Sequence, residues 1–170
     1  MRLSGPIVQR LRDSAKTLAI PLPQLLISII AAYLQRISGQ QELSIGIPVA
    51  ARSQREQRAI PGMLANALPM RLQVRPDMTI GEVARQVSRQ VRQSLRRQQC
   101  RYEDMLRDQQ GQTGRGHLFN TTINVVPYDH DLRFAGHGTT PHNLANGPAV
   151  DLGFDIFDRS DDKALGIGFN

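Results

Sequence analysis

The sequence of 170 residues contains no tryptophan and a single cysteine, Cys100. One cysteine excludes an internal disulfide framework and a metal cluster built from several thiolates. Aromatic residues are scarce, at 5% of the chain. The most apolar stretch covers residues 25–34, whereas a membrane-spanning helix needs about 20 apolar residues. These absences predict a single globular domain with an aliphatic core, no membrane partner and a cytoplasmic location.

Lysine is nearly absent too. Of the 21 basic residues, only Lys16 and Lys163 are lysine and the rest are arginine. With 15 acidic residues, the formal net charge is +6. An excess of positive charge is typical of proteins that bind nucleic acid, phosphate or acidic proteins. The alternative is that the arginines are ordinary solvated cations.

Hydrophobic periodicity predicts an α/β (α+β) fold with helices packed on a mixed sheet. We predict helices at 7–18, 23–38, 80–97 and 102–107, and strands at 43–50, 68–74, 119–125, 132–134, 150–156 and 165–169. Thr79 and Glu82 have the spacing of a capping box, and Gly39 should cap the second helix in the left-handed conformation. Pro48 indicates a sheet edge or a bulge. Residues 111–116 should form a flexible loop, and residues after 134 a long irregular one.

The familiar catalytic and metal-binding patterns are missing. No serine stands in a Gly-x-Ser-x-Gly turn. Asp151 and Asp155 share a strand face, but the strand between them holds them about 13 Å apart, and a glycosidase pair needs about 5–9.5 Å. His137 and His142 have no carboxylate at metal-ligand spacing. The sequence therefore predicts no catalytic residue and no metal site.

One predicted helix has a face of arginines without an acidic residue among them. These are Arg85, Arg89, Arg92, Arg96 and Arg97. Such a face could meet phosphates or acidic side chains, and it makes a nucleic-acid-binding domain one alternative for this chain. No aromatic residue is interleaved to stack on bases. The simpler alternative is a solvated helix face.

Four segments, in order, resemble motifs of the condensation domains of nonribosomal peptide synthetases. Residues 46–52 (Gly-Ile-Pro-Val-Ala-Ala-Arg) resemble Gly-x-Pro-Val-x-x-Arg, and residues 62–71 resemble Gly-x-Phe-Val-Asn-Thr-x-Pro-x-Arg. Residues 98–103 resemble His-Gln-Asp-x-Pro-Phe-Glu, and residues 115–119 resemble Arg-x-Pro-Leu-Phe. Residues 124–152 are similar to the siderophore branch of the family, such as enterobactin-type synthetases. The second and third motifs depart from the family pattern at Leu64, Ala65, Ala67 and Cys100–Arg101.

The resemblance implies a fold like half of chloramphenicol acetyltransferase and a role in amide formation. The family's catalytic motif, His-His-x-x-x-Asp-Gly, belongs to the N-terminal half of the domain, and this sequence has no His-His pair. Residues 1–170 are therefore expected to be the C-terminal subdomain, inactive alone. A non-catalytic interaction module is the other alternative.

The resemblance also implies partners and a site. The partners would be the N-terminal half, peptidyl or aryl carrier proteins and the adenylation domain of the same synthetase, without nucleic acid. No cofactor would be bound directly, since the phosphopantetheine arms of the carriers arrive as substrates. Residues 128–149 would reach across to the other half.

Four residues would line the substrate tunnel: Asn66, Gly62, Arg71 and Arg52. Asn66 could instead close a turn by binding backbone groups, and Gly62 could be a plain turn glycine. Arg71 could be an exposed strand-edge residue. Arg52 would anchor the loop beside its strand, or else be solvated.

Overall fold

The computed structural model describes residues 2–113, 116–126, 133–139, 151–159 and 164–169. The helices are α1 (Gly5–Thr17), α2 (Leu22–Ser38), α3 (Arg55–Arg58), α4 (Ile80–Arg96) and α5 (Tyr102–Thr113). The strands are β1 (Arg2–Leu3), β2 (Glu42–Val49), β3 (Asn66–Gln73), β4 (Thr121–Val126), β5 (Arg133–Phe134), β6 (His137–Gly138), β7 (Leu152–Arg159) and β8 (Ala164–Phe169). The predicted order of the long elements and the α/β fold class are confirmed.

Within these described ranges, six strands form one mixed sheet in the order β1-β8-β7-β4-β2-β3. The central strands β2, β4 and β7 run parallel, and the outer strands run antiparallel to their neighbours. The carboxyl ends of the three parallel strands therefore lie at the same end of the sheet. The short strands β5 and β6 pair with each other as a separate hairpin.

The core lies between one face of the sheet and α1, α2 and α4. Alternate residues of neighbouring strands stand on that face because the strands are in register. Ile45 lies opposite Met70, and Ile123 lies beside Phe154. Val83 and Val87 of α4, together with residues of α1 and α2, complete the same buried cluster. We call this the inner face of the sheet and the opposite side the outer face.

The predicted helix caps are confirmed. Gly39 follows α2 with a φ of 71°, and its N–H donates to the Gln35 carbonyl at 2.8 Å. Thr79 and Glu82 cap α4 reciprocally, as a capping box does.

None of the described helices has both the length and the apolar composition that crossing a membrane requires. Taken together, α1 and α2 would meet the requirement by length and composition, but the two helices are bent by 102° relative to each other.

Several local predictions were wrong. The strand β2 is not at a sheet edge, because β3 and β4 flank it. Residues 111–113 belong to α5 rather than to a loop; helices tolerate a glycine such as Gly111 at a modest cost in stability. The two-residue β1 and the single-turn α3 are too short to show a periodicity. The strand predicted at 132–134 is present as β5, but residues 137–138 of the predicted irregular loop pair with it as β6. Residues 140–150 lie outside the described residues.

The free edge of β3 is blunted. Pro69 lies in the middle of this strand and has no N–H to offer an incoming strand. Near the end of β3, the Gln86 side-chain amide, oriented to satisfy both groups, donates to the Gln73 carbonyl at 3.0 Å and accepts from the Gln73 N–H at 3.2 Å. The opposite edge is the two-residue strand β1.

Candidate functional site

Two cavities lie side by side near the carboxyl end of β2. The strand cavity has a volume of about 470 Å³ and is lined by Pro48, Val49, Ala50, Arg52, Gly62, residues 63–65, and Asn124, Val125 and Val126. The junction cavity has a volume of about 460 Å³ and is lined by Ala51, residues 63–67, Gln98, Gln99, Arg101, Tyr102 and Glu103. Residues 63–65 line both cavities, so they form the wall between them.

The strand cavity opens where the pairing of β2 and β4 ends. The last pair joins Gly46 to Thr122. Successive residues of a strand direct their backbone N–H and C=O groups to alternate sides. The Val74 N–H donates to the Gln41 carbonyl, so the odd-numbered residues of β2 direct these groups toward β3. The even-numbered residues, including Pro48, therefore direct them toward β4. Proline has no N–H to continue the ladder. The resulting gap lies at the carboxyl ends of two parallel strands, where open α/β sheets commonly bind ligands.

Arg52 organises the loop that covers this gap. Its guanidinium donates to the carbonyls of Gln57, Ile60 and Gly62, which is the anchoring role considered from the sequence. The loop carries Met63, whose exposed fraction is 90%. Among the described residues, a Cβ on Gly62 would meet only Ile60 Cγ2, at 4.0 Å, so no close approach in that part of the chain requires a glycine there.

Asn66 joins β3 to the junction between α4 and α5. Its Nδ2 donates to the Gln98 carbonyl at 3.0 Å and to the Cys100 carbonyl at 2.7 Å. Its Oδ1 accepts from the N–H groups of Ala67 at 3.0 Å and Tyr102 at 3.1 Å. The amide thus binds backbone groups, which was the alternative to a role in the tunnel. Since Asn66 also lines the junction cavity, its tunnel role stays a prediction.

Gln99 makes a second connection at the same junction. Its Nε2 donates to the Ala51 carbonyl at 3.1 Å and to the Ser53 hydroxyl at 3.1 Å. The sequence placed Gln99 in a family motif but did not indicate this contact, since its partners precede it by more than 40 positions. Asn66 and Gln99 together fix the junction of α4 and α5 to the wall of the junction cavity.

Arg71 is not near either cavity lining. It is an exposed residue of the outermost strand β3, paired across the ladder with Ser44. In the described part of the chain it has no ion-pair partner. This arrangement corresponds to the strand-edge alternative, and a tunnel role for Arg71 stays a prediction.

The outer face of β4 and β7 carries two amide–carboxylate pairs that the sequence did not reveal as partners. Asn120 Nδ2 donates to Asp151 Oδ2 at 2.6 Å, and Asn124 Nδ2 donates to Asp155 Oδ1 at 3.1 Å. Alternation placed the two asparagines on one strand face and the two aspartates on another. The pairing of β4 with β7 could not be read from that pattern.

The arginine face of α4 is exposed along its whole length. Arg85, Arg89, Arg92, Arg96 and Arg97 all reach solvent, and none forms a salt bridge within the described residues.

At the start of α4, two hydrogen bonds lower the pKa of the Glu82 carboxyl. The larger effect comes from the Thr79 backbone N–H and the smaller one from the Thr79 side chain. Among the described residues, no three His, Cys, Asp or Glu side chains are grouped to hold a metal ion.

Comparison with known proteins agrees with this geometry. The family described as Condensation domain matches residues 1–150. The chain is 34% identical over 161 residues to the dimodular nonribosomal peptide synthase of Bacillus subtilis (strain 168), covering 94% of this chain and 7% of that protein. It is 31% identical over 131 residues to vanchrobactin synthetase VabF of Vibrio anguillarum, covering 77% of this chain and 5% of that protein.

A solved structure matches over almost the entire chain. The first condensation domain of the CDA synthetase superposes with a TM-score of 0.86 at 27% identity, covering 99% of this chain and 38% of that one. The chain therefore shares the α/β fold of a solved condensation domain, with helices packed on a mixed sheet. The chain belongs to the condensation domain family of nonribosomal peptide synthetases.

Proposed function

We propose that this chain is the C-terminal subdomain of a condensation domain and forms one wall of its substrate tunnel. The whole domain would join a carrier-bound thioester and a carrier-bound amine into an amide. The observation that carries the proposal is the superposition of 99% of this chain on only 38% of a solved condensation domain. The absence of a His-His pair from the sequence supports a division in which another segment supplies the catalytic imidazole.

The chemistry of such a tunnel is chiefly the positioning of two tethered reactants. We assign the strand cavity and the junction cavity to the wall of this tunnel, together with Asn66, Gly62 and Arg52. Arg71 is assigned to the same wall, although it lines neither cavity. Ile60 and Met63 have exposed fractions of 47% and 90%. Exposed apolar side chains beside two cavities are suited to contact the N-terminal half. The bridging role of residues 128–149 belongs to the same proposal, and most of those residues lie outside the described part.

We assign the partners from the same resemblance: carrier proteins presenting phosphopantetheine arms, and the adenylation domain of the same synthetase, in the cytoplasm. The arginine face of α4 supports an acidic carrier as the partner, because its five exposed cations form no ion pair with the described residues and therefore attract negative charge. We place the chain in the siderophore branch, and the match to vanchrobactin synthetase VabF supports that placement.

Amide formation in the full-length protein tests the proposal. Carrier proteins loaded with donor and acceptor are incubated with it, and carrier-bound products are measured by mass spectrometry. We expect amide product from the full-length protein, none from this chain alone, and none after replacement of the second histidine of the His-His motif by alanine. Amide formation by this chain alone would contradict the division of labour.

A second measurement separates this proposal from nucleic-acid binding. Carrier binding should weaken after R92E, and it should be unchanged after R10E, a control at an exposed arginine of α1. Tight binding of generic DNA that falls steeply between 50 and 200 mM salt, as expected for about six or more phosphate contacts, would favour the alternative.

A further inference from the structure

The tunnel wall proposed above leaves Asn124 without a role, although this residue lines the strand cavity. Asn124 is half-buried on the outer face of β4. Its Nδ2 donates to Asp155 Oδ1 on β7 at 3.1 Å, so the neighbouring strand fixes the plane of its amide. The Oδ1 of Asn124 accepts no hydrogen bond from the described residues.

The surroundings of Asn124 are mostly apolar. Pro48, Val49, Ala50 and Leu64 contribute to the lining. Among the described residues that line the cavity, Arg52 is the one charged group, and it already donates to three backbone carbonyls. A volume of about 470 Å³ is within the range of small-molecule sites. The cavity is therefore suited to an extended, uncharged chain with a few polar groups.

We propose that Asn124 is a substrate-positioning residue that hydrogen-bonds an amide group of the carrier-tethered chain, with Asp155 holding Asn124 in place. A primary amide complements another amide because it offers both a donor and an acceptor. The inference rests on the proposed function, since it assumes that the tethered chain passes through the strand cavity. The amide could belong to the pantetheine arm or to the acyl group that it carries.

The neighbouring pair Asn120–Asp151 provides a matched control. Its two residues immediately precede the same two strands and form the same kind of hydrogen bond, at 2.6 Å, but they do not line the strand cavity. In the full-length protein, N124A should lower kcat/KM for amide formation about 10-fold, the upper range for one lost hydrogen bond. N120A should leave kcat/KM unchanged.

Two donors distinguish the sources of the amide. One carries an acyl group with an internal amide, and the other a plain fatty acyl group. An equal loss with both donors assigns the contact to the pantetheine arm, and a loss restricted to the first assigns it to the acyl group. No loss with either donor would overturn the proposal.

The exchange variant N124D/D155N separates positioning from strand stability. It preserves an amide–carboxylate hydrogen bond between β4 and β7 but removes the amide from the cavity. We expect its melting temperature to match the wild type and its kcat/KM to remain about 10-fold low. Recovery of both would reduce Asn124 to a structural link and overturn the proposal. A wild-type protein that forms no amide would instead contradict the proposed function itself.

Discussion

A methyl group added at Gly46 tests the packing of the outer face most directly. A Cβ built on Gly46 would lie 2.3 Å from Phe119 Cε2, 2.5 Å from Cζ and 2.6 Å from Cδ2, well inside the normal separation of about 3.5–4.0 Å. The Phe119 ring has little room to move, because its exposed fraction is 6% and its centroid lies 5.3 Å from that of Tyr102. We therefore expect G46A to be destabilising.

The magnitude follows from two opposing effects. Overpacking costs about 1–3 kcal/mol, and the clash with three ring atoms indicates the upper part of that range. Alanine regains about 0.5–1 kcal/mol over glycine within a strand. The net loss should be about 2 kcal/mol, or about 4–8 °C in melting temperature for a chain of this size.

Urea denaturation of G46A, followed by circular dichroism, measures this loss. Gly168 supplies the control, because a Cβ there would approach Asp155 no closer than 3.8 Å, so G168A should be neutral or slightly stabilising. The double variant G46A/F119L should show a favourable coupling, since the shorter side chain vacates the ring position. Wild-type stability in G46A would refute the packing described here.

N66A removes four backbone hydrogen bonds and should cost about 2–4 kcal/mol, with faster hydrogen exchange at the Tyr102 amide. R52A releases three carbonyls and should speed tryptic cleavage of the loop that follows, whereas R71A, which disturbs no ion pair in the described residues, should not. E82Q should be less stable than wild type at neutral pH. Because the folded-state pKa of Glu82 is lowered from 4.5, that difference should be full above pH 4.5 and disappear as the pH falls through the folded-state value.

Each of these results has a contradicting outcome. Exchange at Tyr102 that is unchanged by N66A would mean that the amide does not hold the junction. Equal cleavage rates in R52A and R71A would remove the anchoring role of Arg52. A difference between E82Q and wild type that persists at low pH would show that charge on Glu82 does not contribute to the cap.

Most of the helices and strands could be predicted from patterns of residues that are close together in the sequence. The pattern of Leu43, Ile45 and Ile47 predicted a strand because its period is two, and Gly39 and Thr79 marked helix ends through their own backbone chemistry. These features depend on residues within one or two turns of each other. Short elements such as β1 and α3 have no period to detect and were missed.

The candidate site depended on contacts that are distant in the sequence. Asn66 was found through a motif, but its partners at 98–102 come from a helix junction whose position depends on how α4 packs. Likewise, nothing in the local pattern of Asn124 or Asp155 says that β4 and β7 are neighbours. Pro48 was interpreted as a sheet edge or a bulge, which was wrong, because the sequence does not show that β4 lies beside β2 and that their pairing ends before Pro48.

The blunted edge of β3 limits how other chains can attach to the sheet. A strand that approached β3 would meet a ring nitrogen without hydrogen at Pro69 and a peptide group at Gln73 that already forms hydrogen bonds with Gln86. Stepwise extension by added strands, the route to fibres and swapped ribbons, is therefore obstructed at this margin.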